Sequence, residues 1–159
     1  MPEENGINIQ HILVPIDFSA CSNHALNLAL RLARLLHARL TLLHVVQMPY
    51  LVGGGAGAGM GEGVALYAEQ AETEAHQMLA DYAQRVSDAG LECETIVDHA
   101  TPFQRIIDHA ASRRVDLIVM GTHGHTGLQH MLLGSVAEKV VRLAHCPVMV
   151  TREPEAAEE

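Results

Sequence analysis

Residues 117–135 read LIVMGTHGHTGLQHMLLGS and join a short apolar run to a loop rich in glycine. The apolar residues 117–120 have the length and composition of a buried strand. The chain leaves this strand through Gly121 and Gly124, and it places Gly134 and Ser135 ten residues after Gly124. A backbone without Cβ atoms can approach an anion closely and turn its N–H groups toward it. The spacing therefore predicts an anion-binding loop after a buried strand.

Strand-like and helix-like segments alternate along the rest of the chain. Residues 11–17 (HILVPID) and 40–46 (LTLLHVV) are continuous apolar runs, whereas residues 92–98 (ECETIVD) alternate and indicate a half-exposed edge strand. The alternation predicts one α/β domain with a parallel sheet and right-handed crossovers. The predicted helices cover residues 23–37 after a cap at Ser19 or Ser22, a segment with helical spacing from Ala71 to Val86 that Gly90 ends, a segment from Thr101-Pro102 to Arg113-Arg114, and residues 135–144.

The predicted topology places the glycine loop at the edge of the sheet where ligands bind. In open parallel sheets, ligands lie beyond the carboxyl ends of the strands, at the point where the strand order reverses. If the first and fourth strands are neighbours there, Asp17 and the glycine loop face each other across one crevice. By the same argument Asp116, which precedes the fourth strand, lies at the opposite end of the sheet.

Composition excludes several classes of protein. The 159 residues suffice for one domain, and the formal charge of −9 disfavours binding to nucleic acids and to anionic membranes. No apolar run reaches the roughly 18 residues of a membrane helix, and the acidic start MPEENG does not resemble a signal peptide. Cys21, Cys93 and Cys146 are scattered, which favours reduced thiols and a cytoplasmic location. Residues 153–159 (EPEAAEE) are predicted to be a solvated acidic tail.

A second glycine-rich stretch, residues 53–63 (GGGAGAGMGEG), invites comparison with phosphate-binding loops. It contains neither GxGxxG nor GxxxxGK[ST], and it has no lysine. We predict a mobile loop between the second strand and the following helix. Because it follows the carboxyl end of the second strand, this loop is also a candidate lid over the crevice.

The pattern formed by Gly121, Gly124, Gly134 and Ser135 is G-x2-G-x9-G-S. Ser135 opens a predicted helix, whose first amides and dipole favour a second phosphate group. A purely structural interpretation stays open, because residues 135–138 (SVAE) also read as a helix capping box and Gly134 as a turn residue.

Three segments resemble the universal stress protein family: VPIDFS at residues 14–19, VDLIVMGTHGHTGL at 115–128, and LLGSVAEKVV followed by CPVMV at 132–150. The resemblance covers residues 10–152, and G-x2-G-x9-G-[S/T] is that family's ATP-binding signature. It implies a single-domain, open five-stranded parallel sheet in the order 3-2-1-4-5, with helices on both faces as in adenine nucleotide alpha hydrolase-like folds. It also implies ATP with its accompanying Mg²⁺ and a homodimer through the last strand, which begins at Pro147 and ends at Thr151. The ATP-binding residues that it implies are Pro15, Ile16, Asp17 and Val45 around the base and ribose, with Met120, Gly121, His123, Gly124, Gly134, Ser135 and Val136 around the ribose and phosphates.

The chain departs from that family at three loop positions. His125, Gln129 and His130 stand where family members often carry arginine or lysine, so this loop has no fixed positive charge. A metal site formed by His123, His125 and His130 is an alternative interpretation, but no carboxylate lies nearby in the sequence. The simpler interpretation is that His125 and His130 are solvated loop residues. Residues 1–9 are predicted to be a flexible start before the domain.

The sequence predicts nucleotide binding without efficient turnover. Neither SGGxD after the first strand nor HxGH at the first helix occurs, so the motifs of related nucleotide-binding enzymes are missing. Asp17 is expected beside the base, away from the γ-phosphate, and no residue is placed to position water. The predicted function is that of a cytoplasmic, ATP-binding regulatory protein of the stress response whose protein clients are unknown. A nucleotide-independent dimeric interaction or chaperone-like module and a slow ATPase remain alternatives.

Overall fold

The structure, a computed structural model, describes residues 8–47, 60–123 and 133–152. Predictions for residues 1–7, 48–59, 124–132 and 153–159 lie outside the described residues, and Gly124, His125, Gln129 and His130 are among them. Strands and helices alternate as the sequence predicts. They are β1 His11–Pro15, α1 Ala20–Leu36, β2 Arg39–Val46, α2 Met60–Asp88, β3 Cys93–His99, α3 Pro102–Ser112, β4 Leu117–Gly121, α4 Ser135–Leu143 and β5 Val148–Thr151.

The five strands form one parallel sheet in the order β3-β2-β1-β4-β5, which confirms the predicted fold class and strand order. β3, which alternates in sequence, lies at one edge, and β5 lies at the other. In the middle, β1 pairs with both β2 and β4, with Ile12 opposite Leu40 on one side and Leu117 on the other. The order therefore reverses between β1 and β4, which is where the sequence predicts the crevice.

The two faces of the sheet carry separate cores. Side chains alternate along β1, so Ile12 and Val14 pack into one core with α1 and α2, whereas Leu13 packs into the other with α3 and α4. Both cores consist of aliphatic side chains that are almost completely buried. The helices thus cover both faces, and only the ends of the strands are left to form a ligand site.

At two helix starts the structure corrects one prediction and decides one interpretation that the sequence leaves open. α2 begins at Met60, so the last four residues of the glycine-rich run 53–63 are helical and do not belong to the predicted mobile loop. α4 has Gly134 at its N-cap and Ser135 as its first helical residue, so Ser135 is not the capping residue of a capping box. Of the two residues predicted as the cap of α1, Ser19 and Ser22, the structure has Ser19, whose side chain accepts a hydrogen bond from the Ser22 amide.

Polar contacts, one of them buried, hold the amino ends of the strands together. Asp116 Oδ2 accepts hydrogen bonds from the amides of Gln10 and His11, each at 2.9 Å, which confirms that this carboxylate lies away from the crevice. The His11 ring contacts Thr41 Oγ1 at 2.8 Å and the Arg39 guanidinium at 3.0 Å. Burial, and then the charge of Arg39, lower the pKa of His11, so the ring is neutral and accepts from Arg39 through Nδ1.

Within the part of the chain that the structure describes, no helix is long and apolar enough to cross a lipid bilayer.

Candidate functional site

A cleft of about 590 Å³ opens at the carboxyl ends of β1, β2 and β4, beneath α2 and the first turn of α4. Its volume falls within the range of ordinary small-molecule sites. Ten of the eleven residues predicted to bind ATP line this cleft, and the eleventh, Gly124, lies outside the described residues. The ten are Pro15, Ile16, Asp17, Val45, Met120, Gly121, His123, Gly134, Ser135 and Val136. The fold therefore brings residues from four separate parts of the sequence to one place.

Asp17 lies where the chain turns from β1 into α1. Its Oδ1 atom accepts hydrogen bonds from the Ser19 amide at 3.0 Å and from the Ser19 hydroxyl at 2.5 Å. These two bonds fix the carboxylate plane and leave Oδ2 as an acceptor for a donor in the cleft, such as a ribose hydroxyl or an exocyclic amine. The Ser19 hydroxyl is in turn the N-cap acceptor of α1. The orientation of Asp17 is thus tied to the start of the first helix.

Phe18, the next residue, has a left-handed backbone conformation with φ of 64°. For a residue with a bulky side chain this conformation costs about 1–2 kcal/mol. Its ring lies 4.5 Å from the His44 ring and 5.7 Å from the Tyr82 ring, centroid to centroid, and it packs against the core under α1 and α2. These contacts offset the cost of the turn that presents Asp17 to the cleft.

His44 lies on β2 and lines the cleft beside Asp17. Its Nδ1 atom is 2.7 Å from the Ile16 carbonyl oxygen, and because a carbonyl only accepts, Nδ1 carries the proton. Burial lowers the pKa of His44, while the bond to Ile16 and the charge of Asp17 act in the opposite direction and are smaller influences. His44 is therefore neutral at physiological pH, with its proton on Nδ1.

Gly134 is held against the loop that follows β4. Its amide donates to the Thr122 carbonyl oxygen at 2.7 Å, and a Cβ atom added at Gly134 would lie 2.8 Å from the same oxygen. Its backbone, with φ of −69° and ψ of 160°, is one that any residue adopts. The position thus requires glycine because two backbone segments approach closely. A positive φ plays no part.

Gly121 ends β4, and the reason for glycine there differs from the one that the loop pattern suggests. An added Cβ atom would lie 2.7 Å from Cys21 Sγ and 3.0 Å from the Cys21 carbonyl carbon. The space that the missing Cβ leaves is therefore filled by the first turn of α1. Cys21 itself is buried, with Sγ 3.3 Å from the Thr151 carbonyl oxygen.

The far side of the cleft consists of Thr122, His123 and the first turn of α4. His123 Nδ1 lies 3.0 Å from Thr122 Oγ1. Because Gly134, Ser135 and Val136 all line the cleft, the amide end of α4 is presented to it, and this end favours anions. Among the described residues that line the cleft, none is lysine or arginine, and Asp17 and Glu74 are acidic.

The sequence gives little basis for two parts of this site. One face of α2 lines the cleft through Tyr67, Ala71, Glu74 and Met78, although helical spacing alone assigns such residues to the core. His44 stands within an apolar strand run, and only the turn at Ile16 and Phe18 reveals what its ring contacts. The alternative interpretation, a histidine metal site, includes His125 and His130, which lie outside the described residues. Within residues 8–47, 60–123 and 133–152, no group of three His, Cys, Asp or Glu side chains could hold a metal ion.

Comparisons with known proteins agree with the fold and with the motifs. The sequence profile described as the universal stress protein family matches residues 8–152. A universal stress protein of Methanocaldococcus jannaschii, MJ0531, is 36% identical over 151 residues, which cover 94% of this chain and 86% of that protein. The solved structure of MJ0577, which is called a universal stress protein of the same organism, has a TM-score of 0.84 at 28% identity and covers 94% of this chain and 99% of its own.

A more distant structure shares the fold. A universal stress protein of Archaeoglobus fulgidus, solved in complex with dAMP, has a TM-score of 0.63 at 22% identity and covers 91% of this chain and 98% of its own. The profile match spans nearly the whole chain, and the 36% identical relative is matched over nearly all of it. This chain therefore belongs to the universal stress protein family.

Proposed function

We propose that this protein binds ATP, accompanied by Mg²⁺, in the cleft and acts as a nucleotide-dependent regulatory protein of the stress response. One observation carries the proposal: an oriented carboxylate, Asp17, and the amide end of a helix, α4, line opposite sides of a single cleft of about 590 Å³. A nucleotide has hydrogen-bond donors at its nucleoside end and negative charge at its phosphate end, so the two sides of the cleft complement its two ends.

The β1 and β2 side would hold the nucleoside. Pro15, Ile16 and Val45 give this side apolar surface, on which a base can be covered from water. Asp17 Oδ2 would accept from a ribose hydroxyl or from the exocyclic amine of adenine. A carboxylate acceptor at this place favours a ligand with a donor there over one that presents a carbonyl oxygen.

The α4 side would hold the phosphates through Gly134, Ser135 and His123. Each hydrogen bond to a charged phosphate oxygen contributes roughly 1.5–3 kcal/mol, so several together support micromolar affinity. Because the described lining has no lysine or arginine and contains two acidic residues, a bare triphosphate would meet uncompensated repulsion. Mg²⁺ carried by the ATP phosphates would supply the missing positive charge. We therefore expect ATP to bind much more tightly with Mg²⁺ than without it.

Regulation by occupancy fits the site better than efficient catalysis. Of the two carboxylates in the described lining, the Asp17 carboxylate is on the nucleoside side and Glu74 is on α2. The thiols of Cys93 and Cys146 are not activated. Burial, and next the charge of Glu94, raise the pKa of Cys93 to about 11, and burial is the main cause of the raised pKa of Cys146. The protein of Archaeoglobus fulgidus that shares this fold was solved with dAMP, a nucleotide with one phosphate. A slow ATPase is the second candidate.

We place the protein in the cytoplasm, where thiols such as those of Cys93 and Cys146 stay reduced.

Mass spectrometry of nucleotides released from freshly purified, denatured protein tests the proposal, followed by calorimetry of the emptied protein with ATP. We expect ATP to co-purify and to bind with micromolar affinity when Mg²⁺ is present. Release of ADP alone would favour the slow ATPase. If no nucleotide is released and calorimetry shows no binding, the nucleotide-independent interaction or chaperone-like module is the better interpretation.

We further propose that the protein is a homodimer joined through β5. This strand lies at the edge of the sheet, where unpaired backbone groups can pair with a second copy. Two consecutive apolar residues on it, Met149 and Val150, are 37% and 38% exposed. Val148 is half-buried against the α3 and α4 core, so of the three apolar residues of β5 only Met149 and Val150 are available to a partner.

Replacing Met149 and Val150 with lysine should produce monomers, because the charged side chains would have to be buried at the interface without partners. Sedimentation velocity measures the oligomeric state. Leu35→Lys is the matched control, since Leu35 is 76% exposed on α1 and lies outside β5. A double variant that still sediments as a dimer would contradict the use of β5, and the control should sediment as the unchanged protein does.

A further inference from the structure

We infer that His44 is a positioning residue: it holds the turn that presents Asp17 to the ligand, through a hydrogen bond to the residue before Asp17 and a ring contact with the residue after it. This inference rests on the proposed function, in which Asp17 binds the nucleoside half of ATP. Neither the sequence motifs nor the resemblance to known proteins assigns a role to His44.

The first contact fixes the chain before Asp17. The His44 Nδ1–H group donates to the Ile16 carbonyl oxygen at 2.7 Å, while the Ile16 amide donates to the Leu43 carbonyl oxygen at 2.8 Å. The paired strands end at Pro15, which stands opposite Leu43, so Ile16 lies one residue past that register. Both polar backbone groups of Ile16 are thus bound by neighbouring residues of β2. Where the strand pairing ends, the His44 side chain adds one more hydrogen bond between β2 and this segment.

The second contact fixes the chain after Asp17. The centre of the Phe18 ring lies 4.5 Å from that of the His44 ring, at an interplanar angle of 34°. The Tyr82 ring lies 5.7 Å from the Phe18 ring, centroid to centroid, in a T-shaped arrangement. Phe18 has a φ of 64°, which is unfavourable for a residue with a side chain and persists only where contacts hold it. His44 therefore contacts both neighbours of Asp17, so a displaced His44 would release the turn on both sides.

Further side-chain contacts connect the Phe18 and Tyr82 rings to α1 and α2, the two helices over this face. The Arg85 guanidinium lies 5.3 Å from the centre of the Tyr82 ring. Its two terminal nitrogens donate to Asn23 Oδ1 and Asn27 Oδ1 on α1, each at 2.6 Å. The Phe18 ring is thereby enclosed between His44 on the sheet and a side-chain cluster that joins α1 to α2. The carboxylate of Asp17 is oriented separately, by Ser19. Two independent devices hold one side chain: His44 sets where the turn lies, and Ser19 sets how the carboxylate is rotated.

Asparagine and leucine have nearly the same shape and form a matched pair at position 44. The amide nitrogen of His44→Asn is bonded to Cγ, as Nδ1 of histidine is, so it can still donate to the Ile16 carbonyl. His44→Leu removes the donor and leaves that carbonyl without its partner. We expect His44→Leu to weaken Mg²⁺-ATP binding roughly tenfold and His44→Asn to recover most of this loss.

Two measurements separate a positioning role from a general loss of structure. Binding of Mg²⁺-tripolyphosphate, which lacks the nucleoside, should change less than about twofold in both variants. In a double-mutant cycle with Asp17→Asn, the effect of His44→Leu on ATP affinity should largely disappear, because His44 acts through Asp17. If His44→Leu does not fold, Phe18→Gly tests the same turn, since glycine keeps the left-handed backbone without strain but removes the ring. We expect it to weaken ATP binding several-fold and to leave tripolyphosphate binding unchanged.

The outcomes distinguish this inference from the proposed function. An unchanged protein that binds no ATP overturns the proposed function and, with it, the role of His44. If the unchanged protein binds ATP but His44→Leu binds it equally well, or if the effect of His44→Leu persists in the Asp17→Asn background, only the positioning role is overturned. An asparagine variant as weak as the leucine variant would overturn the part assigned to the hydrogen bond, because the donor to the Ile16 carbonyl oxygen would then not contribute.

Discussion

Gly134→Val is expected to weaken Mg²⁺-ATP binding at least about 100-fold, which corresponds to roughly 2.7 kcal/mol. A Cβ atom at this position would lie 2.8 Å from the Thr122 carbonyl oxygen, closer than side-chain carbons approach backbone oxygens. The same oxygen accepts a hydrogen bond from the Gly134 amide at 2.7 Å, so the clash and the bond lie at one point. To relieve the clash, the first turn of α4 must move away from Thr122. That turn carries the amides proposed to bind the phosphates.

The origin of this effect is steric, because the backbone angles of Gly134 are accessible to valine. The clash is within the protein, so we also expect a loss of stability of about 1–3 kcal/mol. A side chain at this position is therefore expected to affect the fold as well as the binding of phosphate.

Calorimetry at a temperature well below the midpoint of thermal unfolding measures the affinity. Gly63→Val is the matched control, since a Cβ atom at Gly63 on α2 would meet nothing within 4 Å. The control should bind ATP as the unchanged protein does. An affinity of Gly134→Val within threefold of the unchanged protein would show that the first turn of α4 does not hold the phosphates.

Much of the fold and the positions of the site residues could be predicted from the sequence. The central strands β1, β2 and β4 are continuous apolar runs bounded by polar turns, and such runs are read reliably because burial on both faces requires them. Asp17 and the residues around Gly134 were placed at one crevice because parallel strands have their carboxyl ends on the same side of the sheet. The structure confirms this convergence, whereas the binding of ATP remains a prediction.

What could not be predicted depends on contacts between distant segments. Residues 135–138 match the capping-box pattern, but the N-cap is Gly134, whose amide bonds to Thr122, and Ser135 is already helical. A local pattern contains no information about that bond. The left-handed turn at Phe18 is another example, because local sequence preference disfavours it and contacts with distant residues, among them the rings of His44 and Tyr82, stabilise it. The requirement for glycine at position 121 also comes from another part of the chain.

Gly121→Ala is expected to destabilise the protein by about 2–3 kcal/mol, although it adds a single methyl group. The new Cβ atom would lie 2.7 Å from Cys21 Sγ, 3.1 Å from Cys21 Cβ and 3.0 Å from the Cys21 carbonyl carbon. Two of these atoms belong to the side chain and one to the backbone of α1, so rotation of the thiol relieves only part of the overlap. The rest requires β4 or α1 to shift, and both pack against the central strand β1.

A double-mutant cycle with Cys21→Ala tests this explanation. Cys21→Ala alone should cost about 1 kcal/mol, because it removes a buried thiol that contacts the Thr151 carbonyl oxygen. In the double variant, the Sγ overlap is gone and the backbone overlap remains. The cost of Gly121→Ala should therefore be smaller in the Cys21→Ala background by about 1 kcal/mol, but it should not vanish. Urea unfolding monitored by circular dichroism measures the free energies of unfolding of all four proteins, which are compared at equal m-values. If the stability losses of the two single substitutions simply add, Cys21 is not the reason for glycine at position 121. The anion-binding explanation from the loop pattern would then be the better one.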